Sequence, residues 1–286
     1  MRLGTILLLL AAALPAACEG PYFVTYSHQM EEPGNLEIAL EQVAGAPRAG
    51  DAFVGSLLEL EYGVKAWWTT EVYFEGQGTW GQGALFTGFR IENRFRPWMG
   101  EHRINPVLYV EFEDLNGADR SFKEIVGHDS VDDQLTPNAE ARRERKREIE
   151  TKLILSSNAR GWNIAGNLTG EKNLTNEPWD FGYAIGVSRP LALAAAPGPC
   201  SFCRENFSAG VELFGGLGTW HEFGLKGTSH YIAPLFAWEL PSGGKLALSP
   251  AFGLNGNSHG VLIRFGLFYE VEQAGRRVSQ LFRGRR

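Results

Sequence analysis

Apolar and polar residues alternate along most of the chain. Between positions 84 and 96, one set of alternate positions carries Leu85, Thr87, Phe89, Ile91, Asn93 and Phe95. The other carries Phe86, Gly88, Arg90, Glu92, Arg94 and Arg96. Successive side chains of a strand point to opposite sides, so this segment has an apolar face and an ionised one. The same rhythm marks 35–43, 53–64, 67–75, 106–114, 149–156, 162–169, 181–188, 207–215, 230–240, 245–254 and 261–271. The pattern predicts an all-β fold, an antiparallel transmembrane β-barrel of about twelve strands, an even number that returns the chain to its starting side.

Connection lengths support that reading. Numbered from the first strand, the even connections are mostly short, as at 158–161 and 241–244. The odd ones include the charged stretch 116–148 and 216–229. Short turns on one rim and longer loops on the other mark outer-membrane barrels. The connection 191–206 breaks the rule, being long on the short side.

Alternation alone does not say which face is dry. A soluble sandwich or lipocalin-like barrel, acting as a secreted binding protein, would bury the same apolar positions. Against it, a closed barrel of about twelve strands is too wide for one layer of side chains to fill. Tyr62, Trp67, Trp68, Trp98, Trp162, Trp179, Tyr231 and Tyr269 also fall near predicted strand ends, where interfacial girdles sit. Pro234 and Pro250 pull the other way, since a closed barrel has no free edge to excuse a missing donor. So does the ending in Arg283, Arg285 and Arg286, where barrels of this class usually end on an aromatic strand residue. If the facing is right, Phe89→Arg is costly and Gly88→Ser, on the lumen side, is mild.

The N-terminus has the layout of an export signal over 1–17: Arg2, an apolar run over 3–13, then small residues ending at Ala17. The run is too short for a membrane-spanning helix. Cys18 is either a lipid-modified first residue or simply the residue after cleavage; Pro15 stands where a lipoprotein signal usually has Leu. The rest divides into an irregular segment 18–33, the barrel 34–271 and a basic tail 272–286. In an exported chain, Cys200 and Cys203 read as a small structural disulfide rather than a redox or metal pair.

Composition removes several classes. The 286 residues carry a formal net charge of −6, which argues against a nucleic-acid partner, since that needs a basic face. The His residues show no metal spacing and no glycine-rich loop joins a strand to a helix, so neither metal nor cofactor is expected. A mean hydropathy of −0.18 does not exclude a membrane barrel, because only every second strand residue meets lipid.

The lumen of such a barrel would be lined by Glu59, Glu61, Glu71, Glu75, Arg90, Glu92, Arg94, Arg96, Glu111, Glu113 and Arg264. Opposed charges on a wall orient polar solutes, which predicts a passive channel or transporter for small polar or amphipathic molecules. The competing reading is a salt-bridge network that braces or closes the barrel. An enzyme alternative, an outer-membrane lipid hydrolase, would draw on Asn255, Ser258 and His259, with His221 and His230. Ser258 and His259 are consecutive, so in a strand they point to opposite faces. Expected partners are outer-membrane lipid, lipopolysaccharide and the barrel assembly machinery. Arg142, Arg143, Arg145, Lys146 and Arg147 are candidates for lipopolysaccharide phosphates, or else form a solvated helix turn or strand extension.

Residues 59–68 read as an alternating strand, Tyr62-Gly63-Val64, a short turn, then Trp67 and a second strand. With 105–113, this resembles the outer-membrane transporter family named after the phenol meta-pathway. The resemblance covers 35–114 and implies barrel architecture and a channel, without naming a substrate. Lys65 and Ala66 replace the Thr-Asp type of turn the family favours.

Overall fold

The computed structural model describes residues 20–47, 50–129, 135–175, 177–194, 200–240 and 243–283. The expectations for the export signal, Cys18 and the extreme C-terminus lie outside these residues. The strands are β1 (Leu36–Gly45), β2 (Phe53–Lys65), β3 (Trp68–Thr79), β4 (Gly83–Phe95), β5 (Asn105–Asn116) and β6 (Arg145–Ala159). They continue as β7 (Trp162–Asn173), β8 (Trp179–Pro190), β9 (Phe207–Thr219), β10 (His230–Glu239), β11 (Gly244–Gly253) and β12 (Val261–Val271). Each pairs antiparallel with its neighbours in sequence, and β12 pairs with β1 to close the barrel. Among the described residues, two short α-helices, α1 (Asn138–Ala141) and α2 (Ala274–Arg283), lie outside the wall sequence. No described helix is long and apolar enough to cross a membrane.

The outer surface is apolar. Leu40, Leu58, Phe74, Ile91, Leu108, Leu153, Ile185, Phe236, Phe265 and Leu267 are exposed on it. Their strand neighbours Glu37, Glu59, Tyr73, Arg90, Glu111 and Lys152 are buried inside. A water-soluble barrel shows the reverse arrangement, so the predicted facing is the observed one. At the rim where β1 begins, here called the near rim, Trp67, Trp68 and Phe95 stack with ring centroids 6.1–6.4 Å apart. Trp80 and Trp220 are exposed beyond the opposite ends of β3 and β9, at the far rim. Tyr231 leaves the expected girdle. It points inward, 1% exposed, and stacks on Phe214.

Three local features depart from strict alternation or explain its survival. First, β3 and β4 shift register between Glu75, which faces Gly88, and Gly76, which faces Phe86. This bulge turns Thr87 inward, where its hydroxyl donates to Asp119 at 2.7 Å, and turns Phe86 outward, the opposite of the expected facing. A Cβ on Gly88 would collide with the Asp114 carbonyl oxygen, so the expectation that Gly88→Ser is mild does not hold.

Second, the β6–β7 turn is only Arg160 and Gly161, both with positive φ, as a primed two-residue hairpin requires. Third, Pro234 and Pro250 sit in one gap. The β10–β11 register runs from Ile232↔Phe252 to Phe236↔Leu248, which sets the two prolines opposite each other. Both missing donors therefore fall at a single place in the wall, where the Ser249 hydroxyl donates to the Pro234 carbonyl at 3.0 Å.

The strand β6 begins at Arg145, four residues before its expected start, and α1 supplies a helical turn upstream. Arg145 and Arg147 therefore stand on the outer wall at the far rim, both paired with Asp114, whereas Lys146 turns inward.

The inside is divided. On β8–β12 the inward residues are mostly small or apolar: Ala184, Phe214, Ala233, Ala237, Ala251 and Leu262. On β1–β7 ionised residues are far more frequent, among them Glu37, Glu61, Glu71, Arg94, Glu111 and Lys152. The interior is also filled by two segments that alternation could not reveal. Residues 20–33, expected only to be irregular, cross the near half of the lumen. Residues 118–129, expected in an external loop, descend from the far rim. Phe23, Val24, Phe122 and Ile125 of these segments join the apolar wall in one buried cluster.

Candidate functional site

The charged wall is built by register. Glu270 faces Glu37, which faces Glu61, which faces Glu71. Glu71 faces Glu92, and Glu92 faces Glu111. Glu111 then faces Glu150, Glu150 faces Glu171, and Glu171 faces Asp180. Pairing runs across tilted strands, so the row climbs as it goes round. It starts one residue from the near-rim ends of β12 and β1. It finishes one residue from the far-rim end of β8. The result is an acidic staircase along the lumen wall.

Like charges directly opposite each other repel, so this row needs cations. Arg94 supplies the first. It lies 2.6 Å from Glu61 and 3.1 Å from Glu92, and also pairs with Glu71. Arg90 stands one row higher, 2.5 Å from Glu75 and 3.3 Å from both Glu111 and Glu113. Lys152 lies 2.5 Å from Glu150. The Tyr73 hydroxyl lies 2.7 Å from Glu92. Each guanidinium is thereby surrounded by carboxylates, the geometry in which buried charge is tolerated.

The two inner segments fasten to this wall. Glu212 of β9 accepts the backbone N–H groups of Phe23, Val24 and Thr25 at 3.2, 2.9 and 2.7 Å. Asn167 grips Tyr26 from both sides: its oxygen accepts the Tyr26 N–H at 2.6 Å and its amide donates to the Tyr26 carbonyl at 2.9 Å. From the far side, Glu124 reaches Arg90 at 2.5 Å and Lys152 at 3.3 Å. Burial opposes its charge, but Lys152 and Arg90 outweigh that and bring the carboxyl down to about 2. Lys123 lies 3.5 Å from Glu41 and 3.4 Å from Glu59, and stacks over the Tyr26 and Tyr73 rings. It therefore touches the other inner segment directly.

Phe122 has a φ of 49°, unusual for a bulky residue. It is wedged between Phe53 and His259, and its carbonyl accepts from Arg264. Between the descending segment and the wall lies a cavity of about 130 Å³.

Of the expected lumen residues, Glu59, Glu61, Glu71, Glu75, Arg90, Glu92, Arg94, Glu111, Glu113 and Arg264 are buried inside. Arg96 is not among them. It lies one residue past β4, where its guanidinium donates to the Trp98 and Gly100 carbonyls of the near-rim turn. Glu37, Glu150, Lys152, Glu212 and Glu270, already marked by their alternate strand positions, complete the wall with Glu171, which lies two residues beyond the expected end of its strand. Lys123 and Glu124 had no such mark, because their placement depends on a loop folding inward.

The sulfurs of Cys200 and Cys203 are joined at 2.08 Å in the long near-rim connection. In the serine–histidine cluster, the His259 ring packs against Phe53 and Phe122. The Ser258 hydroxyl has the His230 carbonyl and Asn255 Oδ1 as alternative acceptors, while the His230 ring contacts Tyr183 and Thr228.

No family model matches the chain, and no curated protein matches it. Among solved structures, it is similar to the COG4313 outer membrane channel from Pseudomonas putida F1. That match has a TM-score of 0.56 and 9% identity, covering 85% of this chain and 98% of that one. It is also similar to the KdgM porin, with a TM-score of 0.50 and 6% identity over 82% of this chain and 98% of that one. The likeness is one of fold. Both proteins share the closed barrel over nearly their whole length.

Proposed function

We propose that the chain is a passive outer-membrane channel for small polar solutes, with a preference for cations. The acidic staircase carries this reading. It offers carboxylates from one rim to the other inside a barrel coated with apolar residues. A wall of one dominant charge concentrates counter-ions and excludes co-ions. The resemblance of 35–114 to the phenol meta-pathway transporters, and the channel folds just described, support the same reading. The Arg90 and Arg94 clusters brace the wall as well as line it, so the two readings of these charges describe one structure. The reading includes export under residues 1–17, insertion by the barrel assembly machinery, and lipopolysaccharide contact at Arg145 and Arg147. It also includes oxidised Cys200 and Cys203 in the mature protein.

The test is conductance in planar bilayers under a salt gradient. The expected reversal potential has the sign of cation selectivity. It moves toward zero in Glu111→Gln combined with Glu150→Gln. Purified barrel that conducts nothing under any voltage, or that selects anions, would refute the proposal.

A further inference from the structure

We propose that Glu113, Glu148 and Glu171 form a calcium site in the far half of the lumen. The three come from adjacent strands β5, β6 and β7. Glu113 faces Glu148 directly, and Glu171 stands two positions before Asn173, the partner of Glu148. One carboxylate oxygen from each lies within 4.8 Å of those of the other two. Two ligands on opposite sides of a Ca²⁺ ion, each at about 2.4 Å, are separated by about that much.

Proximity of acids alone would not identify a ligand. The second observation is what these carboxylates lack. Glu171 is 9% exposed and has no hydrogen-bond or ion-pair partner among the described residues. Glu113 gives one oxygen to Arg90 at 3.3 Å, but its Oε1 is buried with no hydrogen-bond partner. Glu148 has a partner, accepting from the Asn173 amide at 2.9 Å, which fixes its orientation. Lys146 lines the same space and attracts Glu148 and Glu171 from a distance, without a direct ion pair to any of the three among the described residues. A buried carboxylate oxygen left unsatisfied, as Glu113 Oε1 is, is costly, and a cation shared with Glu148 and Glu171 removes that cost.

The chemistry favours Ca²⁺. The donors are all hard oxygens, with no His or Cys among them. The adjoining cavity of about 130 Å³ holds room for the waters that complete a coordination number of 6–8. Strand-borne donors cannot readjust to the strict octahedron of Mg²⁺, whereas Ca²⁺ tolerates irregular geometry.

The experiment is calorimetric titration of the folded barrel in detergent micelles, stripped with EDTA and held at moderate salt, using CaCl₂ and in parallel MgCl₂. Wild type is expected to bind one Ca²⁺ per chain, and Mg²⁺ more weakly. Glu171→Gln and Glu113→Gln should each weaken Ca²⁺ binding at least tenfold. Glu140→Gln, on exposed α1, should match wild type. A heat-modifiable gel shift verifies that each variant is folded. If Glu171→Gln fails that check, Glu171→Asp, which keeps the charge and withdraws the oxygen, takes its place with the same expected loss. No saturable Ca²⁺ uptake, equal affinity in the folded Glu171 variant and wild type, or tighter binding of Mg²⁺ would each overturn the assignment. Conductance plays no part in the test, so its result is separate from that of the channel proposal.

Discussion

Single side chains decide where the wall meets lipid and where it meets charge. Phe89 stands on the lipid side of β4, one position from Arg90 in the lumen. Phe89→Arg is expected to cost about 2–4 kcal/mol near the bilayer midplane, read from urea unfolding in liposomes. Gly88→Ser is expected to destabilise as well, for a different reason. The bulge brings the Asp114 carbonyl to where a Cβ would be. Phe89→Leu should leave the midpoint nearly unchanged and serves as the comparison. The side on which Phe89 and Arg90 fall was legible from alternation alone. The exchange of Phe86 and Thr87 was not, because a bulge adds a residue without changing composition. Arg96 shows the same limit at a strand end, where parity outlasts the strand by one residue.

At the scale of elements, the inner segments set the state of the lumen. The descending segment is held by Lys123 on Glu41 and Glu59, by Glu124 on Arg90 and Lys152, and by the Arg264 contact to the Phe122 carbonyl. Lys123→Ala combined with Arg264→Ala is expected to raise single-channel conductance and to expose 118–129 to protease.

Acid should loosen the same segment in two stages. Burial, with Arg120 nearby, lowers the His259 pKa from 6.5 to about 4. A depressed folded pKa contributes stability above the unfolded value, lost as pH falls, so this part fades between about pH 6.5 and 4. Glu124 is depressed from 4.5 to about 2, and its contribution fades between those values. Protease sensitivity measured against pH should show both steps, and His259→Phe should remove the upper one. The twelve strands were readable because each carries its own period. The inner segments were not, since nothing in 20–33 or 118–129 repeats. Their placement depends on Glu212, Asn167, Arg90 and Lys152, far away in sequence.

At the scale of the whole molecule, closure turns a set of local alternations into a lumen with a direction. Charges spaced along eight consecutive strand pairings become a continuous row only when the register of every pair is known. Glu61 and Glu71 could be read as inward-facing, but not as neighbours of Glu37 and Glu92 on one ascending line. If that line guides ions, Glu92→Gln should reduce cation preference more than Glu205→Gln, which lies in the near-rim connection between β8 and β9, in the same reversal-potential measurement. Equal shifts in the two variants would mean that the overall charge matters and the line does not.

The proline pair at positions 234 and 250 has a mechanical consequence. A cylinder of laced strands shares load around its circumference, and every rung left out concentrates strain in the rungs beside it. Both residues lack the N–H from which a rung is made, and they face each other across the same joint. The join between β10 and β11 is therefore where amide protons in the middle of the wall should exchange earliest with heavy water. It is also where the hoop should part first when pulled.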